Sequence, residues 1–202
     1  MNYNNISPYS RILGIDTETS HVDFWKGGIL EIGAIVIDKL GNEIEVFNEY
    51  CNPGEVEYSE EAMNINKIPL ETIKSARPIK EVLIDFVKFM NKYIDDRNEK
   101  VVCVGNNFGF DAAFFQYAFD KHVPQFHSKT KWFFRRMDDL KGVSRMTFPG
   151  TEHMSQTKLG ELLNIPNDNA HSALGDVKQM LNIYRTCMRL NYLRIVSYNN
   201  ES

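Results

Sequence analysis

The 202-residue chain has little cysteine and no long apolar run. Its three cysteines, an odd number without a C-x-x-C pair, argue against a disulfide framework and for a reducing compartment. No run of apolar residues approaches the roughly 20 that a membrane span needs. Residues 1–10 are polar and rich in asparagine, and they lack the apolar segment of a signal peptide. We therefore expect a cytoplasmic protein with no membrane partner.

Basic residues are also outnumbered, since the chain has 23 lysine and arginine residues against 27 acidic residues and a net charge of −4. Bulk attraction of a polyanion is thereby excluded, so a contact with nucleic acid needs a local basic surface or a bound metal. The sequence contains no internal repeat, low-complexity segment or linker. Its length suits one sizeable core, and we expect a flexible tail at residues 1–10 followed by a single domain at residues 11–202.

Apolar patterns predict an α/β fold that opens with an antiparallel meander of three strands. Residues 29–38 are rich in β-branched side chains, and the following Gly41-Asn42 pair is typical of a hairpin turn. The predicted strands are residues 11–17, 29–38, 43–49 and 101–104. The predicted helices are residues 59–64, 78–95, 111–122, 157–163 and 172–196. Residues 129–145 are basic and aromatic, and we expect them to be irregular.

Asp16 and Glu18 are two residues apart on a predicted strand, so both carboxylates leave the same face. Two unit charges about 4 Å apart repel by roughly 4 kcal/mol at an effective dielectric near 20. A buried strand tolerates that repulsion when a cation neutralises the pair or when one acid is protonated. For this pair considered alone, two solvated acids at an exposed strand end would be the simpler interpretation.

Two further clusters supply the remaining polar groups. Asp111 stands at the predicted start of a helix, and Asn107 before it could orient a ligand or close the turn. If Ser172 caps the last helix, His171 lies outside that helix and can turn toward the site, while Asp176 points inward. A histidine can take a proton from water at neutral pH. Ordinary helix capping and a surface histidine are the simpler interpretations of each cluster alone.

Together the clusters provide four carboxylates and one histidine, the set needed to hold two divalent cations and activate a water against a phosphodiester. The order D-x-E, N-x-x-F-D and H-x-A-x-x-D resembles the DnaQ-like 3′–5′ exonucleases, and within them the DEDDh branch. The meander, the Asn52-Pro53 break and the stretch from Ser59 to Ile68 extend the resemblance over residues 11–189.

The resemblance implies an RNase H-like α/β fold, with a five-stranded mixed sheet (an antiparallel three-strand meander plus parallel strands) flanked by helices. It implies that Asp16, Glu18 and Asp176 bind one cation, that Asp16 bridges to a second cation held by Asp111, and that His171 is the general base. All-oxygen ligation suits Mg²⁺ or Mn²⁺. The implied activity is removal of nucleoside 5′-monophosphates from a 3′ end by a two-metal mechanism.

The sequence departs from the family pattern at two places. Ser20-His21 stands where Thr-Gly is frequent, and Asn106 stands where histidine is frequent. Neither departure removes a metal ligand, and both bear on the shape of the pocket for the terminal nucleotide. The neighbouring acids Asp138 and Asp139 have no recognised spacing to the clusters, and we interpret them as structural.

Basic and aromatic side chains are the expected contacts for a single-stranded DNA or RNA 3′ end. Trp132, Arg135 and Arg136 are candidates within residues 129–145, although a core of aromatic rings with a solvated charged face explains that segment equally well. The other candidate substrate-binding residues lie close to the acid clusters: Thr17, Thr19, Phe24, Trp25 and Asn107.

Two other functions stay open, a non-catalytic nucleic-acid-binding module and an RNase H-like endonuclease. A binding module has no need of mutually repelling carboxylates, which argues against it. The sequence does not distinguish DNA from RNA, or proofreading from RNA processing. Without a polymerase domain the chain is expected to act alone or beside a polymerase or processing partner, and its long terminal helix offers a surface for a homodimer.

Overall fold

The helices of the protein pack on a sheet that contains a few long strands. Successive side chains of each strand point to opposite faces of this sheet. The computed structural model describes residues 11–93, 101–126, 137–150 and 154–201. Its strands are β1 Arg11–Thr19, β2 Ile29–Asp38, β3 Glu43–Asn52, β4 Arg77–Pro78, β5 Val101–Gly105 and β6 Met137–Asp139. Its helices are α1 Glu60–Asn66, α2 Leu70–Ser75, α3 Ile79–Asn91, α4 Gly109–His122, α5 Leu140–Thr147, α6 Gln156–Leu163 and α7 Ala173–Glu201, with a short 3₁₀ turn at Pro124–Phe126.

The strands form one mixed sheet in the order β4-β3-β2-β1-β5-β6. The first three strands pair antiparallel, which confirms the predicted meander. β5 pairs parallel to β1, and β6 pairs parallel to β5. Within the described residues the sheet has six strands, whereas the resemblance implied five and the sequence patterns located four. The two strands that the patterns did not locate are the two-residue β4, which joins β3 at one edge, and the three-residue β6, which joins β5 at the other.

The turn between β2 and β3 follows from its sequence. The Asp38 carboxylate accepts hydrogen bonds from the backbone N–H groups of Leu40, Gly41 and Asn42, at 2.8, 2.7 and 2.9 Å. Gly41 has a φ of +97°, a conformation that residues with a Cβ rarely adopt. This turn sets the register of β2 against β3.

The two faces of β1 meet different helical layers. Leu13 and Ile15 are fully buried in the cluster that includes residues of α3 and α4. Ile12 packs against the other cluster, to which α7 contributes. Because side chains alternate along a strand, Asp16 and Glu18 continue the row that faces α7. The sheet thus directs both acids toward the helix that carries Asp176.

Several predicted boundaries need correction. The helix expected at residues 78–95 spans Ile79–Asn91, and the helix expected from residue 111 begins at Gly109. The irregular segment expected at residues 129–145 is wrong for residues 137–145, which form β6 and most of α5. Asp139 determines where α5 starts, since its side chain accepts a hydrogen bond from the Lys141 N–H and caps the helix.

Trp132, Arg135 and Arg136 lie outside the described residues. No helix within the described ranges is long and apolar enough to cross a membrane.

Gly33 of β2 is expected to be essential for the docking of α7. A Cβ at this position would lie 2.6 Å from Ala173 C and 2.7 Å from Leu174 N, so the start of α7 would have to move away. Gly33→Ala should lower the free energy of unfolding by about 1–3 kcal/mol, measured by urea denaturation. Gly142→Ala, in α5 with nothing within 4 Å, is the matched control and should be neutral or slightly stabilising. Equal stability of the two variants would contradict this docking argument.

Candidate active site

Three carboxylates meet where β1 ends and α7 begins. One ligand oxygen from each of Asp16, Glu18 and Asp176 lies within 4.8 Å of the other two. Glu18 is 9% exposed, whereas Asp16 and Asp176 keep partial exposure, so the group is open to solvent on one side. Residues that are 160 positions apart in the chain therefore share one site.

The start of α7 places Asp176 and His171 as the capping argument predicts. Ser172 Oγ accepts a hydrogen bond from the Gly175 N–H at 3.2 Å, which confirms the predicted cap. His171 precedes the helix with a φ of +69° and is exposed. Burial raises the pKa of Asp176, while a hydrogen bond from Asn167 and the nearby His171 act in the opposite direction. His171 is therefore close enough to Asp176 to lower the pKa of that carboxyl.

Asp111 approaches the group from α4, on the other side of β1. It is 3% exposed, and its Oδ1 accepts from the Thr17 N–H at 3.0 Å and from the Thr17 hydroxyl at 2.6 Å. These bonds fix the orientation of the Asp111 carboxylate. It is not one of the three acids whose oxygens lie within 4.8 Å, but its charge contributes to the raised pKa of Asp16.

Burial and mutual repulsion perturb the whole group. Burial, and then the charges of Asp111, Glu18 and Asp176, raise the pKa of Asp16 well above its ordinary value. Burial together with the charges of Asp176 and Glu31 raises the pKa of Glu18 to about 8. Burial raises the pKa of Asp111 to about 7, against the opposing effect of its hydrogen bonds from Thr17. Without a counter-charge, the folded protein holds protons at this site near neutral pH.

Glu31 is a fifth carboxylate that the sequence reasoning missed. It lies directly opposite Glu18 in the β1–β2 pairing and is 1% exposed. Its Oε2 accepts from the Ala173 N–H at 3.1 Å, so it ties β2 to the first turn of α7. The signal was present, because a lone glutamate inside the apolar run I-L-E-I-G is unusual for a buried strand.

The site suits a hard divalent cation. Its converging donors are carboxylate oxygens, the ligand type that Mg²⁺ and Mn²⁺ prefer. A cation beside Asp16, Glu18 and Asp176 would replace the protons that burial and repulsion otherwise retain. The donor set and its electrostatics therefore fit the group that the sequence implied.

The predicted substrate-binding residues fall into different environments. Thr17 is buried and donates to Asp111, while Thr19 is buried and its hydroxyl donates to the His21 carbonyl at 3.0 Å. Asn107 is exposed with a φ of +59°, and its carbonyl accepts from the Phe110 N–H, so it closes the turn before α4. Contact between substrate and these three residues stays a prediction.

Two aromatic candidates lie beside α4. Phe24 is partly buried, and its ring centroid is 6.4 Å from that of Phe114. Trp25 is 68% exposed and packs edge-to-face against Tyr117 at 5.2 Å. The acids interpreted as structural do hold the fold: Asp139 caps α5, and Asp138 accepts from the Tyr184 hydroxyl at 2.6 Å.

A mixed sheet whose carboxylates converge beneath a helix start is the arrangement of a nuclease with an RNase H-like fold. The RNase_T exonuclease family model matches residues 13–184. The chain belongs to this exonuclease family and is a member of the DnaQ-like exonuclease superfamily.

Solved structures share the fold at low sequence identity. The nuclease domain of 3′hExo, described as a DEDDh family member bound to rAMP, has a TM-score of 0.73 and 16% identity over 90% of this chain and 92% of that one. E. coli Exonuclease I in complex with a dT13 oligonucleotide has a TM-score of 0.74 and 19% identity over 94% of this chain and 43% of that one. Cell-death related nuclease 4 has a TM-score of 0.72 and 18% identity over 91% of this chain and 65% of that one.

A sequence relative is the PolC-type DNA polymerase III of Lactococcus lactis subsp. lactis (strain IL1403). The two are 32% identical over 99 residues, which is 49% of this chain. The chain matches only 5% of that polymerase, so the likeness concerns a small part of a much longer protein.

The raised pKa of Glu18 predicts how stability depends on pH without metal. The folded protein holds the Glu18 proton between the ordinary value of 4.5 and about 8, and the unfolded chain does not. Unfolding therefore releases a proton in this range, so the stability of the metal-free protein should fall as the pH rises from 5 to 8. Tm in EDTA measures this, and Glu18→Gln should make the profile less steep, while the raised pKa values of Asp16 and Asp111 keep some of the slope.

Metal should reverse the trend, because a cation competes with the protons that the carboxylates hold at low pH. Added Mn²⁺ is expected to raise Tm more at pH 8 than at pH 5. A larger increase at pH 5, or no increase at either pH, would contradict the fit of a cation to this site.

Proposed function

We propose that this chain is a metal-dependent 3′–5′ exonuclease of the DEDDh type. It removes nucleoside 5′-monophosphates from the 3′ end of single-stranded DNA or RNA. The observation that carries the proposal is the convergence of Asp16, Glu18 and Asp176 within 4.8 Å, beside the perturbed Asp111. Mutually repelling buried carboxylates lower the stability of a fold. Binding of a cation that also contacts a phosphodiester would explain why they are present.

The positions of the acids support the roles that we propose for them. Asp16, Glu18 and Asp176 are the proposed ligands of one Mg²⁺ or Mn²⁺, and Asp16 with Asp111 the proposed ligands of a second. Bound divalent cations supply Lewis acidity at the scissile phosphate and lower the pKa of water. Thr17 keeps Asp111 aimed at the site, since its N–H and hydroxyl both donate to Oδ1.

His171 is the proposed general base. It precedes α7 with a left-handed backbone, so it lies outside the helix that carries Asp176. A neutral imidazole accepts a proton from the attacking water at neutral pH. Because His171 is exposed, that proton can pass to bulk solvent before the next cleavage.

Single-stranded substrate is supported by an aromatic surface that we name the Trp25 platform, formed by Phe24, Trp25 and Tyr117. The Trp25 ring centroid lies 4.8 Å from that of Phe24 and 5.2 Å from that of Tyr117, so the inner side of the indole packs against both rings. The outer side is open, since Trp25 is 68% exposed. Lys121 lies 5.7 Å from the Tyr117 ring and offers a positive charge beside the platform.

The Trp25 platform lies along α4 from the acid cluster. Tyr117 follows Asp111 by six residues, or roughly 9 Å along a helix axis. Unpaired bases stack on aromatic rings with little dependence on sequence. A strand whose 3′ end enters the acid cluster is therefore proposed to stack a base further upstream on Trp25.

The relatives leave the choice between DNA and RNA open. One solved structure of the same fold holds a dT13 oligonucleotide and another holds rAMP. The partial match to a PolC-type polymerase is compatible with a role beside a polymerase, and a processing partner or a homodimer is equally compatible with the fold.

Cleavage should require the proposed ligands. With Mg²⁺ or Mn²⁺, the protein should release monophosphates from a 3′-labelled single-stranded oligonucleotide. Asp176→Asn should lower the rate by more than the roughly 10–100-fold typical of an outer-shell partner, and His171→Ala by about 10²–10⁴-fold. Asp168→Asn changes an exposed acid in the loop between α6 and α7, and this control should leave the rate unchanged.

Two results would contradict this activity. Absence of product with either metal would favour a binding module. Internal fragments from a 3′-blocked oligonucleotide would indicate an endonuclease.

The Trp25 platform should matter for long substrates only. Trp25→Ala should raise KM for a single-stranded decamer about tenfold, since stacking contributes about 1–3 kcal/mol per base. KM for a nitrophenyl ester of a nucleoside 5′-monophosphate should stay the same, because its single base lies at the acid cluster and does not reach the platform. Leu40→Ala, which removes an exposed side chain in the β2–β3 turn, is the control. Equal losses for both substrates would exclude the proposed stacking.

A further inference from the structure

Asn167 connects a proposed metal ligand to the loop that carries the proposed base. Its Nδ2 donates to Asp176 Oδ1 at 2.6 Å, a short bond to a carboxylate. Its Oδ1 accepts from the Asn169 N–H at 3.2 Å. One side-chain amide thus binds both Asp176 and the backbone two residues before His171.

Hydrogen bonds continue from Asn169 to the start of α7. The Asn169 carbonyl accepts from the Ser172 N–H at 3.3 Å and from the Ser172 hydroxyl at 2.9 Å. Ser172 Oγ in turn accepts from Gly175. His171, with its left-handed φ of +69°, lies inside this run of bonds. The backbone around His171 is therefore held from both sides.

Asp176 has other polar contacts besides Asn167, and one of them is a hydrogen bond from the backbone of His171 to the same carboxylate. Gln156 Nε2 donates at 2.8 Å to the main-chain oxygen of Asp176, which anchors the helix and does not orient the acid. Asn167 donates to the carboxylate itself. An amide donor can hold one oxygen while adding no charge, which leaves the carboxylate anionic for a cation.

We propose that Asn167 is a positioning residue, which orients the Asp176 carboxylate for a divalent cation and fixes the backbone of the loop that carries His171. This inference rests on the proposed function. It adds a residue outside the three acidic motifs, on the loop between α6 and α7. Loss of the amide should weaken cation binding and slow turnover, while KM for the oligonucleotide stays the same.

Direct Mn²⁺ titration of the substrate-free protein, by electron paramagnetic resonance or calorimetry, tests the first part. Asn167→Ala and the near-isosteric Asn167→Leu should each raise the Kd for Mn²⁺ about tenfold, the loss typical of an outer-shell partner. Asn169→Ala is the matched control, since it removes the side chain of the same residue type from the same loop and keeps the backbone bonds. Its Kd should equal that of wild type.

Kinetics test the second part. At saturating Mn²⁺, both Asn167 variants should show a lower kcat with an unchanged KM for the oligonucleotide, because the base is misplaced and the substrate surface is intact. Far-ultraviolet circular dichroism and Tm identify any variant that fails to fold, and Asn167→Leu retains the volume of the side chain if Asn167→Ala does not.

The outcomes separate the two levels of inference. Wild-type protein that binds no Mn²⁺ would overturn the proposed function and this inference with it. Wild-type protein that binds Mn²⁺ while both Asn167 variants bind it equally well would overturn the role of Asn167 alone.

Discussion

Electrostatic repulsion among carboxylates in a confined space is the constraint on which the rest of this structure depends. Oxygens of Asp16, Glu18 and Asp176 lie within 4.8 Å of one another, and Asp111 and Glu31 add their charges nearby. Such a group is stable only with protons or cations. The fold nevertheless holds it in place, through the register of two strands and the close docking of one helix.

The supports of the group are distributed through the sequence. β1 aims two acids at α7, Glu31 on β2 holds the Ala173 N–H, and Gly33 lets the helix start approach the sheet. On the opposite side of β1, Thr17 orients Asp111. Because these contacts join backbone to side chain across several elements, the acids are held before any substrate arrives, which is the condition for electrostatic preorganisation.

The net negative charge of the chain affects how a nucleic acid can approach the site. With a net charge of −4 the protein does not attract nucleic acid by its overall field, and its proposed site adds local negative charge. Cations at the acid cluster would neutralise that local charge and let a phosphate approach. Aromatic stacking on Trp25 and Tyr117 supplies a contact that needs no positive field.

Sequence reasoning was strongest where one pattern determines the structure. The apolar run of β2, the Gly41-Asn42 turn and the Ser172 cap led to the antiparallel strands and to the helix start as found. It failed for β4 and β6, since strands of two or three residues carry no periodic signal.

Glu31 and Asn167 were missed for a different reason. The role of Glu31 depends on its register opposite Glu18, and that of Asn167 depends on how an irregular loop folds back onto Asp176. Neither relation is encoded by spacing along the chain.

The most direct test of the account is an anomalous-difference map from crystals of the protein grown with Mn²⁺. The account predicts a strong peak between the carboxylates of Asp16, Glu18 and Asp176, with a second peak toward Asp111. Peaks located elsewhere, or no peak at this cluster in Mn²⁺-containing crystals, would contradict it.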